Sequence, residues 1–445
     1  MPRNCLLMAA LLAVGWAASA RGQDDRPLRL ARTNAAPSVV AARQPIRGTV
    51  DQPLDSGSLS LADLEDIALR RNPGLARASA EVDAARGHWL QVGLRPNPTV
   101  GYLGEEIGNE DSAGMHGAFA SQEFVRGGKL ALNRRVAGQQ LQKAEYRLES
   151  QRYRVLTDVR GAYYEVLAAQ RGVELSTELA RVADEASETA EQVFRGRQTS
   201  RFEPLQAGIE ARQMGIVLQT AKNRHATAWR GLAAVVGEPD MPTARLVGDL
   251  NDSLPEYNFE ESLGNLLVQS PQLAAAWADV ERARWAIERA AAEPVPNVEV
   301  EATVAYDTAS DDTWAGVQVG LPLPLHDRNQ GEIAKSVAEL RAAEANVNRL
   351  KLWLHERLAV AFERYDNARY QAGVYAESIL PDAQDALNLA NLGYREEELD
   401  YLSVLTAQRQ YTHANLAYLD ALREVRASAV VIEGLLLSGS LEENE

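Results

Sequence analysis

The sequence offers almost no sulfur chemistry. Its only cysteine, Cys5, falls within the first twenty of 445 residues, so the rest of the chain can hold neither a disulfide framework nor a thiolate site. Aromatic residues are scarce too, at 6%. Ala, Leu, Glu, Arg and Gln abound instead, a bias that favours long helices over a mixed core. Past the first twenty residues no apolar run reaches about 18, which excludes a transmembrane helix. It does not exclude a β-barrel, whose strands carry only a weak alternating signal. There is no P-loop, no Gly-x-Ser-x-Gly, no His-Glu-x-x-His and no paired-carboxylate cleft. We therefore expect a non-enzymatic protein without a cofactor, in which energy for any transport comes from a partner.

Metal ligation finds no support either. The six histidines, His88, His116, His225, His326, His355 and His413, have no ligand spacing, and Met115 and Met214 stand alone. His225 shares the heptad phase of Ala211, Leu218 and Leu232 and reads as a packing residue; His326 reads as structural. With 62 acidic against 46 basic residues the net charge is −16, which argues against nucleic acid as a partner, since phosphate binding needs clustered positive charge. Such acidity suits solubility, and also a passage that tolerates cations.

The first twenty residues read as a secretory signal. Arg3 gives a short positive start, 6–17 are apolar but too short to span a bilayer, and Ala18-Ser19-Ala20 is a small-x-small cleavage site. A buried N-terminal helix is the other reading, and Arg21, Gly22 and Gln23 speak against it. Cys5 leaves with the signal and lacks the flanking residues of a lipidated cysteine, so no lipid anchor is expected. Residues 21–57, rich in Arg, Ala, Pro and Ser, read as a flexible lead-in.

Beyond residue 57 the chain is one unit written twice. Leu61, Pro73, Leu75, Ala85, Arg86, Pro96 and Pro98 find counterparts 198 residues later in Phe259, Pro271, Leu273, Ala283, Arg284, Pro294 and Pro296. After one inserted residue, Leu141, Leu148, Val155 and Ala162 match Leu340, Val347, Leu354 and Ala361. A second insertion pairs Phe194, Phe202, Leu205 and Ala207 with Tyr394, Leu402, Leu405 and Ala407. The spacing gives a first repeat at 58–240, a linker at 241–257, a second repeat at 258–438 and a tail at 439–445.

Each half reads as short helix, two strands, long helix, short helix. The first helix spans about 61–91, and again 259–292, with Asn72-Pro73 and Ser270-Pro271 near its start where a break is tolerable. From about 130 to 195 there is no proline, and Leu141, Leu148, Val155, Ala162 and Ala169 recur every seven residues, the seam of a helix packed lengthwise on others. The second half repeats the phase from Ile333, and the last helix shows it from Val404 to Ile432. About 65 residues at about 1.5 Å each make a rod of about 100 Å. Kinks are expected at Gly138, Gly161, Gly172 and above all Pro381.

The strands have period two. In 297–307, Val298, Val300, Ala302, Val304 and Tyr306 share one face, while Asn297, Glu299, Glu301, Thr303 and Asp307 share the other. The next run aligns Ala315, Val317, Val319 and Leu321, with Trp314 near its start. This pattern fits a barrel strand between lipid and water, and also an amphipathic hairpin on a soluble core. The strands at 99–107 and 116–125 alternate less cleanly, and Glu105-Glu106 blurs their faces. Four strands cannot close a barrel, for which about eight is the minimum; three copies would supply twelve and remove the edges. Two short helices end to end match one long helix in height, as a wall of equal rods requires.

Three segments carry a resemblance to the TolC-type outer-membrane factor (outer membrane efflux protein) family over essentially the whole mature chain. Leu321-Pro-Leu-Pro-Leu-His-Asp-Arg-Asn-Gln-Gly331 is similar to the strand-to-helix turn of its cation-efflux, CzcC-like branch, and Ser121-Gln-Glu-Phe-Val-Arg-Gly-Gly-Lys129 is the first-half equivalent. Leu380-Pro-Asp-Ala383, Tyr394 and Leu402-Ser-Val-Leu-Thr-Ala-Gln408 are similar to the family's hairpin tip.

The resemblance implies a mainly α fold with a β-barrel portion. Long coiled-coil helices form a trimeric α-barrel across the periplasm, topped by a 12-stranded barrel in the outer-membrane lipid, four strands per protomer. It implies a homotrimer that works with a periplasmic membrane-fusion adaptor and an inner-membrane resistance-nodulation-division pump, as a passive export duct with metal cations as the favoured cargo. A drug or protein-secretion duct of the same family, and a periplasmic coiled-coil scaffold outside any membrane, are the alternatives.

By the same likeness the periplasmic entrance and adaptor-docking tips hold Arg195, Arg197, Thr199, Tyr394, Arg395, Glu396, Glu397, Glu398, Asp400 and Thr406; Glu299, Glu301 and Asp307 face the barrel lumen. Thr406 stands where some members carry an aspartate that helps close the pore, so that network does not transfer intact. Four tip carboxylates become twelve around a three-fold axis, and their repulsion calls for cations, for Arg395 or Arg197, or for screening. A cation-attracting entrance and a merely solvated hairpin both fit.

Overall fold

The computed structural model describes residues 59–108, 113–196, 200–252, 254–396 and 398–442. The expected signal peptide and lead-in lie outside them, as do Arg197, Thr199 and Glu397 of the expected entrance. The first half runs α1 (Leu61–Arg71), α2 (Pro73–Gln91), β1 (Thr99–Glu105), β2 (Met115–Phe124), α3 (Lys129–Arg195) and α4 (Phe202–Val236). The second repeats it as α5 (Phe259–Gln269), α6 (Pro271–Ala292), β3 (Val298–Asp307), β4 (Asp312–Gly320), α7 (Gln330–Val374), a π-turn (Tyr375–Ile379), α8 (Leu380–Arg395) and α9 (Tyr401–Glu433).

The helix expected over 61–91 is divided in two, and so is its counterpart. Asn72 ends α1 in an extended conformation and caps α2, its Oδ1 accepting from the Gly74 amide at 2.9 Å, with Pro73 at the first helical position. Ser270 does the same before Pro271. Proline cannot donate to the preceding turn but suits the first turn of a new helix, so each X-Pro step becomes a boundary.

Ser60 starts α1 through a reciprocal capping box with Asp63. The Ser60 hydroxyl and amide hold the Asp63 carboxyl below its ordinary value. A depressed carboxylate contributes stability that is present above its unfolded pKa and lost as pH falls through the folded one. In melts of the full chain, Ser60→Ala should lower stability by about 1 kcal/mol, and Asp63→Asn should lose less than wild type on acidification from neutral pH to about pH 3. Parallel acid losses in both proteins would discount the box.

The long rod is α3, 67 residues without interruption. It runs through Gly138, Gly161 and Gly172, all of which remain α-helical. Its counterpart is not straight through: α7 passes into α8 by way of the π-turn, and Pro381 follows at the start of α8. The wider turn accommodates the proline that cannot serve as a donor. Gly128 and Asn329 open the two long helices in the left-handed conformation, with φ of 67° and 59°.

The main core lies where the halves meet. Val155, Val159 and Val166 of α3, Leu232 of α4, Leu354, Leu358 and Tyr365 of α7 and Val425 of α9 are buried together. Residues of the 241–257 stretch complete it: Met241, Leu246 and Leu250 point into it. Its carbonyls accept from buried side chains, Met241 from Trp229 at 3.1 Å and Leu250 from Arg426 at 2.9 Å. Such fixed polar pairs keep a non-helical segment in place without orphaned backbone groups.

Candidate functional site

The four strands form one antiparallel sheet in the order β1-β2-β3-β4, so the outer edges of β1 and β4 have no strand partner among the described residues. Register separates its faces. Val100, Ala120, Ala302 and Val317 align across it, as do Tyr102, Ala118, Val304 and Ala315. This apolar face is open: Val317 is 75% exposed and Val304 42%. On the other face Glu123 lies opposite Glu299, Ser121 opposite Glu301, and Glu301 opposite Gln318. Glu299, Glu301 and Asp307 therefore share one face with Glu123, which the sequence did not single out. Phe119 also sits there, over Gly101, where a Cβ would come within 2.4 Å of its ring; that packing explains the poor alternation of the first-half strands.

Below the sheet, Lys129 is buried and reaches the Asn297 Oδ1 at 3.1 Å and Glu293 at 3.6 Å, while Asn297 donates to Glu123 at 2.6 Å. His326 is exposed nearby, and only its carbonyl is used, accepting from Gln330 at 3.3 Å. The structural role read for it belongs to the main chain.

At the opposite end, Tyr394 of α8 and Tyr401 of α9 meet edge to face at 5.7 Å and pack with Ala190, Ala207 and Leu405, joining α3, α4, α8 and α9. The Tyr394 hydroxyl donates to Glu203 at 3.4 Å. Burial pushes the Tyr401 hydroxyl up, with Tyr394, Glu210 and Glu203 adding to it. Asp400 caps α9 by accepting from the Ser403 amide and hydroxyl, which hold its carboxyl below the usual range. Arg195 pairs with Glu191 of its own helix at 3.1 Å.

Arg395, Glu396 and Glu398 are exposed. Arg395 takes part in no ion pair among the described residues, so it pairs with neither Glu396 nor Glu398 nor Asp400. Thr406 bonds back to Leu402 at 2.8 Å and does not cross the hairpin.

The link across is made instead by Glu210 and Arg409. The Glu210 side chain is only 4% exposed, and Arg409 of α9 donates to it at 2.8 Å. Sequence reasoning passed over both. The signal was available, since Glu210 follows Ala207 by three residues and so lies on the buried face of α4. Among the described residues no group of three or more His, Cys, Asp or Glu is placed to hold a metal ion, and no helix is long and apolar enough to cross a membrane.

The profile of the outer membrane efflux protein family matches twice, over residues 64–238 and 263–436. The chain belongs to that family. As an outer membrane efflux protein it is a channel and not an enzyme, lying in the outer membrane and extending into the periplasm. The scaffold alternative falls with this assignment.

A curated relative is the cobalt-zinc-cadmium resistance protein CzcC of Cupriavidus metallidurans, 27% identical over 86% of this chain and 90% of its own length. Among solved structures, CusC superposes with a TM-score of 0.73 at 17% identity, covering 85% of this chain and 92% of the other. The outer-membrane channel OprN gives 0.72 at 20%, covering 85% and 90%. These likenesses establish the fold: mainly helical, duplicated, with a small antiparallel sheet.

Proposed function

We propose that this outer membrane efflux protein is the passive exit duct of a tripartite export system for metal cations. The observation that carries the reading is the two-faced sheet with two open edges. Its apolar face suits lipid, its carboxylate face suits cations, and four strands close only with other copies. A homotrimer supplies twelve strands, with Glu123, Glu299, Glu301 and Asp307 lining the lumen three times over. The repeats 58–240 and 258–438 form equal arcs of the wall, with 241–257 as the equatorial linker and 439–445 as a tail. Metal cargo is supported by the carboxylate lining and by the likeness to CzcC, a cobalt-zinc-cadmium resistance protein.

Driving energy comes from an inner-membrane resistance-nodulation-division pump, reached through a periplasmic membrane-fusion adaptor. The docking surface proposed for the adaptor is the pair of hairpin tips. Phe202, Leu205 and Ile209 of α4 and Leu389 and Leu392 of α8 are exposed apolar side chains at helical spacing there, as partner-covered surfaces are. Arg195, Arg197 and Thr199 belong to one tip, and 394–400 with Thr406 to the other.

The test is metal accumulation in cells lacking the gene, with imaging of the detergent-extracted protein. Higher periplasmic or cytoplasmic metal and three-fold particles with a tube of about 100 Å are expected. Unchanged metal content across several cations, beside normal particles, would transfer the duct to the drug or protein-secretion reading. Replacing Glu396, Glu397 and Glu398 together with Gln removes nine charges from a trimeric entrance. Single-channel cation selectivity should fall severalfold at low salt and less at high salt; unaltered reversal potentials would take the tip out of the permeation path.

A further inference from the structure

Two arginines at the foot of the sheet have no carboxylate to answer them among the described residues. Arg134 lies over the Trp89 ring at 4.2 Å, and Arg135, the next residue of α3, over the Trp285 ring at 4.4 Å. Both guanidinium-bearing side chains belong to exposed residues, and neither takes part in an ion pair among the described residues. Their neighbours Lys129 and Arg289 do, sharing Glu293. In a chain with so large an acidic excess, two adjacent unanswered arginines, each set on an indole, call for an external anion.

Their position says which anion. Lys129 lines the groove that also holds Glu123 and Glu299, on the carboxylate side of the sheet. Arg134 and Arg135 follow it by five and six residues, about 140° and 240° further round the helix, so they flank the opposite side, beneath the apolar face. Leu90 and Leu94 beside Trp89, and Phe124 at the end of β2, are exposed, so apolar surface continues down to the level of the indoles. Trp at a membrane boundary places its ring at headgroup depth, and arginine beside it meets phosphate. The site also has built room: a Cβ at Gly93 would come within 2.2 Å of the Arg134 side chain, so Gly93 leaves the space in which Arg134 lies against Trp89.

We propose that Arg134–Trp89 and Arg135–Trp285 form a binding site for anionic phospholipid headgroups of the periplasmic leaflet. The inference rests on the lipid-facing assignment of the apolar sheet face. The arginines contribute charge and hydrogen bonds to the phosphate, the indoles hold the guanidinium planes, and the exposed leucines and Phe124 take the upper acyl chain.

The experiment titrates detergent-solubilised full chain with phosphatidylglycerol or phosphatidylcholine carrying brominated acyl chains, reading quenching of tryptophan fluorescence. Wild type should bind phosphatidylglycerol more tightly than phosphatidylcholine, and the preference should shrink with salt. Arg134→Gln with Arg135→Gln should weaken phosphatidylglycerol about 25-fold, about fivefold per arginine, and leave phosphatidylcholine unchanged. Gly93→Ala, which keeps every charge, should weaken it by a smaller factor by displacing Arg134. Equal affinity of wild type for the two lipids, or an undiminished preference in the double variant, overturns the proposal. Competition by inorganic phosphate at equal concentration would reassign the site to a free anion and overturn it as well. Absence of quenching by either lipid would instead sink the lipid-facing reading of the sheet, and the headgroup site with it.

Discussion

Val317→Arg should prevent assembly of a stable oligomer in the outer membrane, whereas Gln318→Arg, one residue along the same strand, should be tolerated. Val317 lies on the open apolar face beside Ala302, and Gln318 on the carboxylate face beside Glu301. An arginine at the middle of a lipid-facing strand costs about 2–4 kcal/mol, and in the proposed homotrimer the cost is multiplied by the number of copies. On the other face the same side chain meets Glu301 across the strands, a pairing that is mildly favourable. Outer-membrane fractionation and the heat resistance of the oligomer on gels measure the first effect. Gln318→Arg provides a second readout, because a positive charge added opposite Glu301 in each copy should lower cation selectivity in single-channel recordings. If both variants assembled alike, the sheet would not have one face in lipid.

Much of this architecture was legible in the sequence because it repeats at fixed intervals. The proline-free run from about 130 to 195 places α3 within a residue of its observed limits. The heptads of 141–169 mark it as a packed helix because Val155 and Ala169 are buried, and Leu141, Leu148 and Ala162 half-buried, along one seam. Period-two alternation in 297–307 marked β3 and its faces for a similar reason, one side being apolar and the other acidic. β1 and β2 were harder to read. Phe119 packs over Gly101 on the carboxylate face, so packing inside a small sheet overrides the lipid-water rule there.

The breaks were less legible than the runs. An X-Pro step tolerates either a continued helix or a new one, and what decides at both steps is the cap, Asn72 Oδ1 accepting from the Gly74 amide and the Ser270 hydroxyl from the Leu273 amide. The Asn72 side-chain amide is further anchored on the Val235 carbonyl at 2.8 Å. Pro381 was foreseen as a kink, but a π-turn as its remedy has no sequence signature. Arg134 and Arg135 read as ordinary charged helix positions, and what marks them is the pair of indoles, Trp89 of α2 and Trp285 of α6, brought against two successive residues of α3. At the tip, the row of carboxylates at 396–398 drew attention because it is contiguous in the chain. The pair that crosses between the hairpins, Glu210 and Arg409, is made of single charges on different helices and emerges only when α4 and α9 are brought together.

That pair yields the second large expectation. Arg409→Met leaves the buried Glu210 carboxylate without its cation, and removing one partner of a buried pair costs about 3–5 kcal/mol. Arg409 itself is about half exposed, so solvent and protonation of Glu210 reduce the loss to about 2 kcal/mol. The interaction ties α9 of the second hairpin to α4 of the first, in the same region as the Tyr394–Glu203 bond, and in the duct proposed above, with these tips as its entrance, a closed state would need both hairpins held together. A loss of that size corresponds to about 30-fold in the ratio of closed to open states, if the whole of it falls on the closed state. Single-channel recordings should therefore show longer open residence, with a lower melting temperature of the isolated channel. Adding Glu210→Gln to Arg409→Met should restore most of the stability, because a neutral amide tolerates the site that an orphaned carboxylate does not, but it should leave the longer open residence in place. A double variant no more stable than Arg409→Met alone would mean that the arginine acts by packing its stem and not by its charge.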